Sequence, residues 1–208
     1  MTEYLKPYEI EARSMQIIEE EIGDRIRDID PERLPIIKRV IHTTADFDYL
    51  DSLTFTNDAI ARFKEYIRGG CTIVTDTRMA YSGINKKRLE KYNVKVVCFM
   101  DDESVAAEAQ QRQVTRASVS MERAASLGGD VIIVCGNAPT ALIAVDKLLK
   151  EDECCIKGVI AVPVGFVNVV EAKELIIGDD IPCIAARGRK GGSNVAASIV
   201  NAIVYSME

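Results

Sequence analysis

The sequence predicts an α/β protein, a single-domain, three-layer Rossmann-like fold with a mainly parallel sheet flanked by helices. Short apolar runs alternate with stretches of helical periodicity along the chain, which is the pattern of a doubly wound sheet. In the C-terminal half, three apolar runs each lead directly into a polar loop that contains glycine: 135–140, 163–166 and 187–193. Because ligands bind at the carboxyl ends of parallel strands, these loops are predicted to form one wall of a binding crevice.

The N-terminal part of the chain is predicted to be mainly helical. Asp30 is a good N-cap and Pro31 fits a first helical turn, so a helix is predicted to begin there and to run towards His42. Another helix is predicted to end at the pair Gly69 and Gly70. The elements predicted in this part are helices over 8–22, 30–42 and 57–68, and strands over 53–55 and 71–75.

The rest of the chain continues the alternation. A loop over 76–83 follows the strand 71–75, one long helix is predicted over 101–127, and a helix follows each of the three polar loops. The chain contains no linker, low-complexity stretch or internal repeat, so 1–208 is predicted to be one domain. The strands predicted in this part are 94–99, 131–134, 158–162 and 181–185.

Composition narrows the class of protein. The net charge of −6 over 208 residues argues against a nucleic-acid-binding protein, because a polyanion requires a basic face. No apolar run approaches the roughly 20 residues that span a bilayer, and the N-terminus lacks a signal-peptide pattern, so a cytoplasmic protein without a membrane partner is expected. The six cysteines show no metal-ligand spacing, and no metal site is predicted.

His42 is the only histidine and the main candidate for acid–base chemistry. The ordinary pKa of imidazole lies closest to neutrality, which suits proton donation or acceptance. The hydroxyls of Thr43 and Thr44 and the carboxylate of Asp46 are placed in the sequence where they could orient the ring. A satisfied structural histidine is the alternative interpretation of a single residue of this type.

The polar loops offer candidate binding groups. Glycines at 188, 191 and 192 allow a close approach of the backbone, and the helix that follows directs its positive end at the loop, so a carboxylate or phosphate could bind there. Asn137 and Thr140 can supply amide and hydroxyl contacts. A tight strand-to-helix turn explains the glycines equally well, and their spacing is neither a Walker loop nor a dinucleotide fingerprint.

Seven segments occur in an order that resembles one family. The segments are Ile10-Glu-Ala-Arg-Ser, Arg39-Val-Ile-His-Thr-Thr, Ile73-Val-Thr-Asp with Met79 and Gly83, Thr115-Arg, Gly136-Asn-Ala-Pro-Thr-Ala-Leu, Pro163-Val-Gly-Phe-Val and Gly188-Arg-Lys-Gly-Gly-Ser. Each is weakly specific, but the ordered combination spans nearly the whole chain and resembles the precorrin-8X methylmutases and their cobalt-precorrin-8 counterparts.

The resemblance implies a precorrin-8 methylmutase domain over 1–208. It implies an isomerase of cobalamin biosynthesis that moves a methyl group at ring C of a tetrapyrrole, with no external cofactor, acting as a homodimer. It also implies that His42 is the catalytic residue and exchanges a proton with the ring. By the same resemblance, the expected substrate-binding residues are Arg13, Ser14, Arg39, Arg116, Asn137, Thr140, Gly165, Gly188, Gly191, Gly192 and Ser193.

Two other classes stay open at this point. A corrinoid carrier without catalytic activity would use the same crevice to hold or deliver a ring. A nucleotide-binding oxidoreductase would place its cofactor at the same sheet edge, although the missing dinucleotide fingerprint counts against it. The motifs do not separate a cobalt-containing from a cobalt-free substrate.

Overall fold

The computed structural model describes residues 6–151 and 154–207 of the chain. In these ranges the strands form one six-stranded sheet in the order β1-β6-β5-β4-β2-β3. All neighbouring strands are parallel except β1, which runs antiparallel to β6 at the edge. The strands are β1 Leu53–Thr56, β2 Thr72–Thr75, β3 Lys95–Val97, β4 Val131–Cys135, β5 Ile156–Ala161 and β6 Cys183–Ala186.

Helices cover both faces of the sheet. One face is covered mainly by α2, α4, α5 and α11 and the other by α8, α9 and α10, so the molecule has the three layers that the sequence predicts. The helices are α1 Pro7–Ile22, α2 Leu34–Thr44, α3 Tyr49–Ser52, α4 Ala59–Arg68, α5 Arg78–Gly83, α6 Lys86–Leu89, α7 Glu103–Arg112, α8 Arg116–Ala125, α9 Pro139–Leu149, α10 Val169–Gly178 and α11 Ser193–Tyr205. None of them, within the described ranges, has the length and apolarity needed to cross a membrane.

The central strands are buried on both faces. Along β4, Ile132 and Val134 pack on the α2–α11 face, whereas Ile133 and Cys135 pack on the α8–α10 face. Successive side chains of a strand point to opposite faces of the sheet. Because helices cover both faces, every position of β4 is apolar rather than every second one. The sequence shows the same run of apolar residues, so the parallel sheet is predicted correctly.

One predicted helix is wrong. The stretch 101–127 forms two helices, α7 and α8, instead of one. Gln113 adopts a left-handed conformation with φ +54° at the end of α7, and the Thr115 hydroxyl then caps α8 by accepting from the backbone N–H of Ser118. An N-cap threonine stabilises the start of a second helix, because it satisfies a backbone N–H that has no partner within that helix. The helix-forming residues on both sides of the break make it difficult to predict from the sequence.

The loop predicted over 76–83 is also partly wrong, because α5 occupies most of it. Thr77 is the N-cap of α5 and its hydroxyl accepts from the backbone N–H of Ala80 at 3.1 Å. Ala80 is fully buried in the core. The threonine cap is the local signal that favours a helical turn here.

Candidate active site

The carboxyl ends of β2 and β4 meet where the strand order reverses direction. Asp76 follows β2 at this point and is only 1% exposed. Its carboxylate accepts three backbone N–H groups of the loop that follows β4: Gly136 at 2.8 Å, Asn137 at 2.8 Å and Ala138 at 2.7 Å. These bonds hold the β4 loop against the end of β2. The burial of Asp76 also leaves it without solvent contact, which indicates a structural role.

The same loop lies against the start of α11. Thr77 and Ser193 share a hydroxyl hydrogen bond of 2.7 Å, which joins the β2 loop to the loop that follows β6. A Cβ atom on Gly136 would lie 2.6 Å from the Cα of Ser193. The glycine is therefore required by the close approach of two backbones, as expected for a tightly packed sheet edge.

The substitution Gly136→Ala tests this packing. The added methyl group has to displace backbone rather than a flexible side chain, so we expect a loss of about 1–3 kcal/mol of unfolding free energy. The measurement is urea denaturation followed by circular dichroism. Gly178→Ala is the matched control, since a Cβ there meets nothing within 4 Å. Equal stability of the two variants would contradict the backbone contact.

The segment Gly188–Ser193, here called the glycine loop, is held by backbone bonds to its neighbours. The N–H of Gly192 donates to the Val162 carbonyl at 2.8 Å, and the N–H of Gly165 donates to the Arg189 carbonyl at 3.2 Å. Gly191 has φ +157°, and a Cβ on it would lie 2.1 Å from the Val162 carbonyl oxygen. The β5 loop and the glycine loop thus form one unit at the carboxyl edge, as the sequence predicts.

Apolar side chains stand exposed on this edge. Met79, Phe166 and Val167 are 70%, 81% and 78% exposed. The guanidinium carbon of Arg189 lies over the Phe166 ring, 5.4 Å from the ring centroid. We name Met79, Val164, Phe166 and Val167 the apolar rim. Sequence reasoning did not select these residues as part of the site, although large apolar side chains in polar loops are a detectable signal.

His42 lies exposed on the last turn of α2. The groups expected to orient its ring are engaged elsewhere. The hydroxyls of Thr43 and Thr44 donate to carbonyls of their own helix at 2.8 Å. Asp46 binds the ammonium of Lys190 at 2.6 Å, and this hydrogen bond lowers the pKa of the Asp46 carboxyl. In the described ranges no hydrogen bond joins these three residues to the imidazole, so the suggested orientation of the ring stays a prediction.

The Asp46 ion pair links the segment after the His42 helix to the glycine loop. Lys190 belongs to the glycine loop and binds both Asp46 and Asp48, at 2.6 and 2.5 Å. Both carboxylates lie in the segment that directly follows α2. The end of the His42 helix is therefore tied to the carboxyl edge of the sheet.

Arg116 lies near the carboxyl edge of the sheet. It begins α8, where its guanidinium donates to the Met100 carbonyl at 3.3 Å. Its neighbour Thr115 shares a hydroxyl hydrogen bond of 2.9 Å with Thr140, in the first turn of α9. Asn137 is exposed in the loop between β4 and α9. Three predicted binding residues, Arg116, Asn137 and Thr140, therefore lie on the β4 side of the sheet edge.

The other three predicted residues have their described contacts among the outer helices. Arg13 pairs with Glu20 at 3.4 Å, and the Ser14 hydroxyl donates to the Ile10 carbonyl, both within α1. Arg39 pairs with Glu11 at 2.7 Å and lies over the Tyr205 ring at 5.2 Å. These contacts connect α1, α2 and α11 with each other and do not reach the sheet-edge loops.

The candidate site lies at the carboxyl edge of the parallel strands. It combines exposed apolar side chains, a backbone-lined loop and several arginines and lysines at one sheet edge. In the described ranges no three His, Cys, Asp or Glu side chains are grouped to hold a metal ion. Fold and site together define an α/β protein with an apolar and basic candidate binding site at the carboxyl edge of its parallel strands.

Comparison with known proteins identifies the family. Residues 9–206 match the model of the CbiC family, precorrin-8X methylmutase. The cobalt-precorrin-8 methylmutase of Salmonella typhimurium is 44% identical over 97% of this chain and 96% of its own. The precorrin-8X methylmutase of Pseudomonas aeruginosa is 35% identical over 86% of each chain. The solved precorrin-8X methylmutase of Thermus thermophilus superposes with a TM-score of 0.83 at 32% identity, covering 94% of this chain and 96% of the other.

The chain therefore belongs to the precorrin-8X methylmutase family and is an isomerase of cobalamin biosynthesis. The family resemblance and the fold inferred from the sequence are both confirmed.

Proposed function

We propose that this protein converts cobalt-precorrin-8 to cobyrinate. The methyl group leaves the bridging carbon beside ring C and joins the neighbouring ring carbon, so one C–C bond breaks, another forms and the composition is unchanged. The observation that carries the proposal is the apolar rim beside the basic glycine loop, because the substrate is a flat ring edged by carboxylates. The cobalt form is proposed because the relative named for it is the more similar of the two enzymes compared.

The proposed binding groups divide into two sets. Arg116, Asn137, Thr140, Gly165 and the glycine loop surround the crevice and would contact the ring edge. Arginine suits this role because its planar group takes a carboxylate in two hydrogen bonds. Arg13, Ser14 and Arg39 would contact carboxylates that extend towards α1 and α2. Surface ion pairs contribute only about 0–1 kcal/mol, so exchanging Glu20 or Glu11 for a substrate carboxylate requires little energy.

His42 is proposed as the catalytic residue. Its imidazole is exposed at the end of α2, and the Lys190 ion pairs tie the segment after that helix to the glycine loop. From there it would lend a proton to the ring and take it back after migration. Protonation draws electrons from the conjugated ring and favours the shift, and proton transfer by a positioned group contributes typically about 10²–10⁴-fold.

A homodimer is also proposed. The apolar rim leaves four apolar side chains 47–81% exposed, and a second copy covering part of it would complete the slot and exclude solvent. Light scattering coupled to gel filtration is expected to give twice the chain mass of 22.9 kDa. A monomer at micromolar concentration would contradict this part of the proposal.

The direct test is conversion of the substrate. Purified protein is incubated with cobalt-precorrin-8 and, separately, with the cobalt-free ring, and the visible spectrum is followed. We expect conversion to the cobyrinate chromophore, faster with the cobalt form. Faster conversion of the cobalt-free ring would contradict the cobalt assignment. Tight binding of both rings without conversion would indicate a carrier, and binding of neither would contradict the proposed site.

A further inference from the structure

Lys173 is a lysine with no exposed surface. It lies on α10, and its ammonium donates to the carbonyls of Gly188 and Lys190, each at 2.8 Å. Burial lowers the pKa of this lysine to about 8, because a charged ammonium loses its hydration there. A lysine is rarely buried completely, since removing its charge from water is unfavourable unless the group is well bonded. The hydrogen bonds to the two carbonyls therefore offset the loss of hydration of the Lys173 ammonium, and both carbonyls belong to the glycine loop.

These bonds determine which way the glycine loop faces. In a trans peptide the C=O and the N–H of one unit point in opposite directions. Because the Gly188 and Lys190 carbonyls turn inward to Lys173, the N–H groups of Arg189 and Gly191 turn away from it. The Arg189 carbonyl is held as well, by the N–H of Gly165 at 3.2 Å. Three successive carbonyls of the loop thus bond to the protein, and the N–H groups of Arg189 and Gly191 point away from Lys173.

The loop is held from a second direction through Lys190. Its backbone carbonyl accepts from the buried Lys173, and its own ammonium binds Asp46 and Asp48 in the segment after the His42 helix. A change at Lys173 would therefore move the loop relative to both the sheet edge and the end of α2.

We propose that Lys173 is a positioning residue that holds the glycine loop with its N–H groups directed at a substrate carboxylate. The inference rests on the proposed function, since it assigns the loop to ring binding. Lys173 acts through the loop from beneath it and, being fully buried, does not touch the ring. Backbone N–H groups in a preorganised loop bind an anion without a change of conformation, so the contribution appears in substrate affinity.

The test is Lys173→Met, which keeps the length and apolar stem of the side chain and removes its donors. We expect the KM for cobalt-precorrin-8 and the Kd for cobyrinate to rise about tenfold, the scale of one lost hydrogen bond to a charged group, with kcat changed less than about threefold. Lys173→Arg restores donors and is expected to recover part of the affinity. If the Met variant does not fold, Lys173→Gln is measured in the same way.

Ile176→Ala is the matched control. Ile176 is fully buried one turn further along α10, in the core beneath the sheet, and its loss destabilises the same helix without removing a bond to the loop. Its KM is expected to stay at the wild-type value. Unchanged KM and Kd in the Lys173 variants, or an equal rise in Ile176→Ala, would overturn the inference. Failure of the wild-type protein to bind or convert either ring would instead overturn the proposed function.

Discussion

Replacing His42 with alanine is expected to lower kcat by roughly 10²–10⁴-fold, the usual contribution of a positioned acid–base group. The Kd for cobyrinate is expected to stay within about threefold of wild type, since the arginines and loops that we propose for ring binding are unchanged. The imidazole is exposed on the last turn of α2, and alanine is a strong helix former, so the fold should be retained. Steady-state conversion followed in the visible spectrum gives kcat, and titration with cobyrinate gives Kd.

Lys38→Met is the control for this variant. Lys38 lies one turn earlier on α2 and pairs with Glu19, so its removal changes the charge of the same helix without altering the crevice. We expect wild-type kcat from it. Full activity of the His42 variant would remove the imidazole from the mechanism. A parallel rise in Kd would mean that His42 binds the ring rather than exchanging a proton with it.

Replacing Asp76 with asparagine is expected to produce the largest loss of stability, roughly 3–4 kcal/mol of unfolding free energy. The carboxylate accepts three N–H groups of the β4 loop, and its second oxygen also lies 3.4 Å from the Cys135 thiol. Asparagine has nearly the same shape, but it turns an amide NH₂ towards N–H donors, which leaves buried donors unsatisfied. Urea denaturation measures the loss, and lower activity should follow because the β4 loop is released.

Asp146→Asn is the matched control. Asp146 is 8% exposed and accepts from the ammonium of Lys150, whose side chain is 64% exposed. An ion pair with a solvated lysine contributes about 1 kcal/mol or less, so this change should have a small effect. Similar losses in the two variants would show that the N–H groups around Asp76 do not depend on its charge.

Much of the fold follows from local pattern. The apolar run at β4 and the loops after β4, β5 and β6 are visible in the sequence because burial on both faces requires apolar residues at consecutive positions. The break between α7 and α8 is also local, but it depends on the left-handed Gln113 and on the cap at Thr115. Helical propensity alone does not show such a break, since most of the residues on either side of it favour a helix.

The binding loops can be predicted from the sequence because each follows a parallel strand, and the family motifs can be matched because they keep their order. The hydrogen-bond partners of the charged groups cannot be predicted in this way. Asp76 reaches N–H groups about 60 residues later, Lys173 reaches carbonyls 15 and 17 residues later, and Lys190 pairs with Asp46 across 144 positions. The sequence contains these residues, but only the packing of α10 and of the strand ends decides which atoms come within hydrogen-bond distance. Hydrogen bonds act over about 3 Å, so the choice of partners depends on tertiary geometry. The buried side of a helix or strand, in contrast, can be predicted from the spacing of its apolar residues along the sequence.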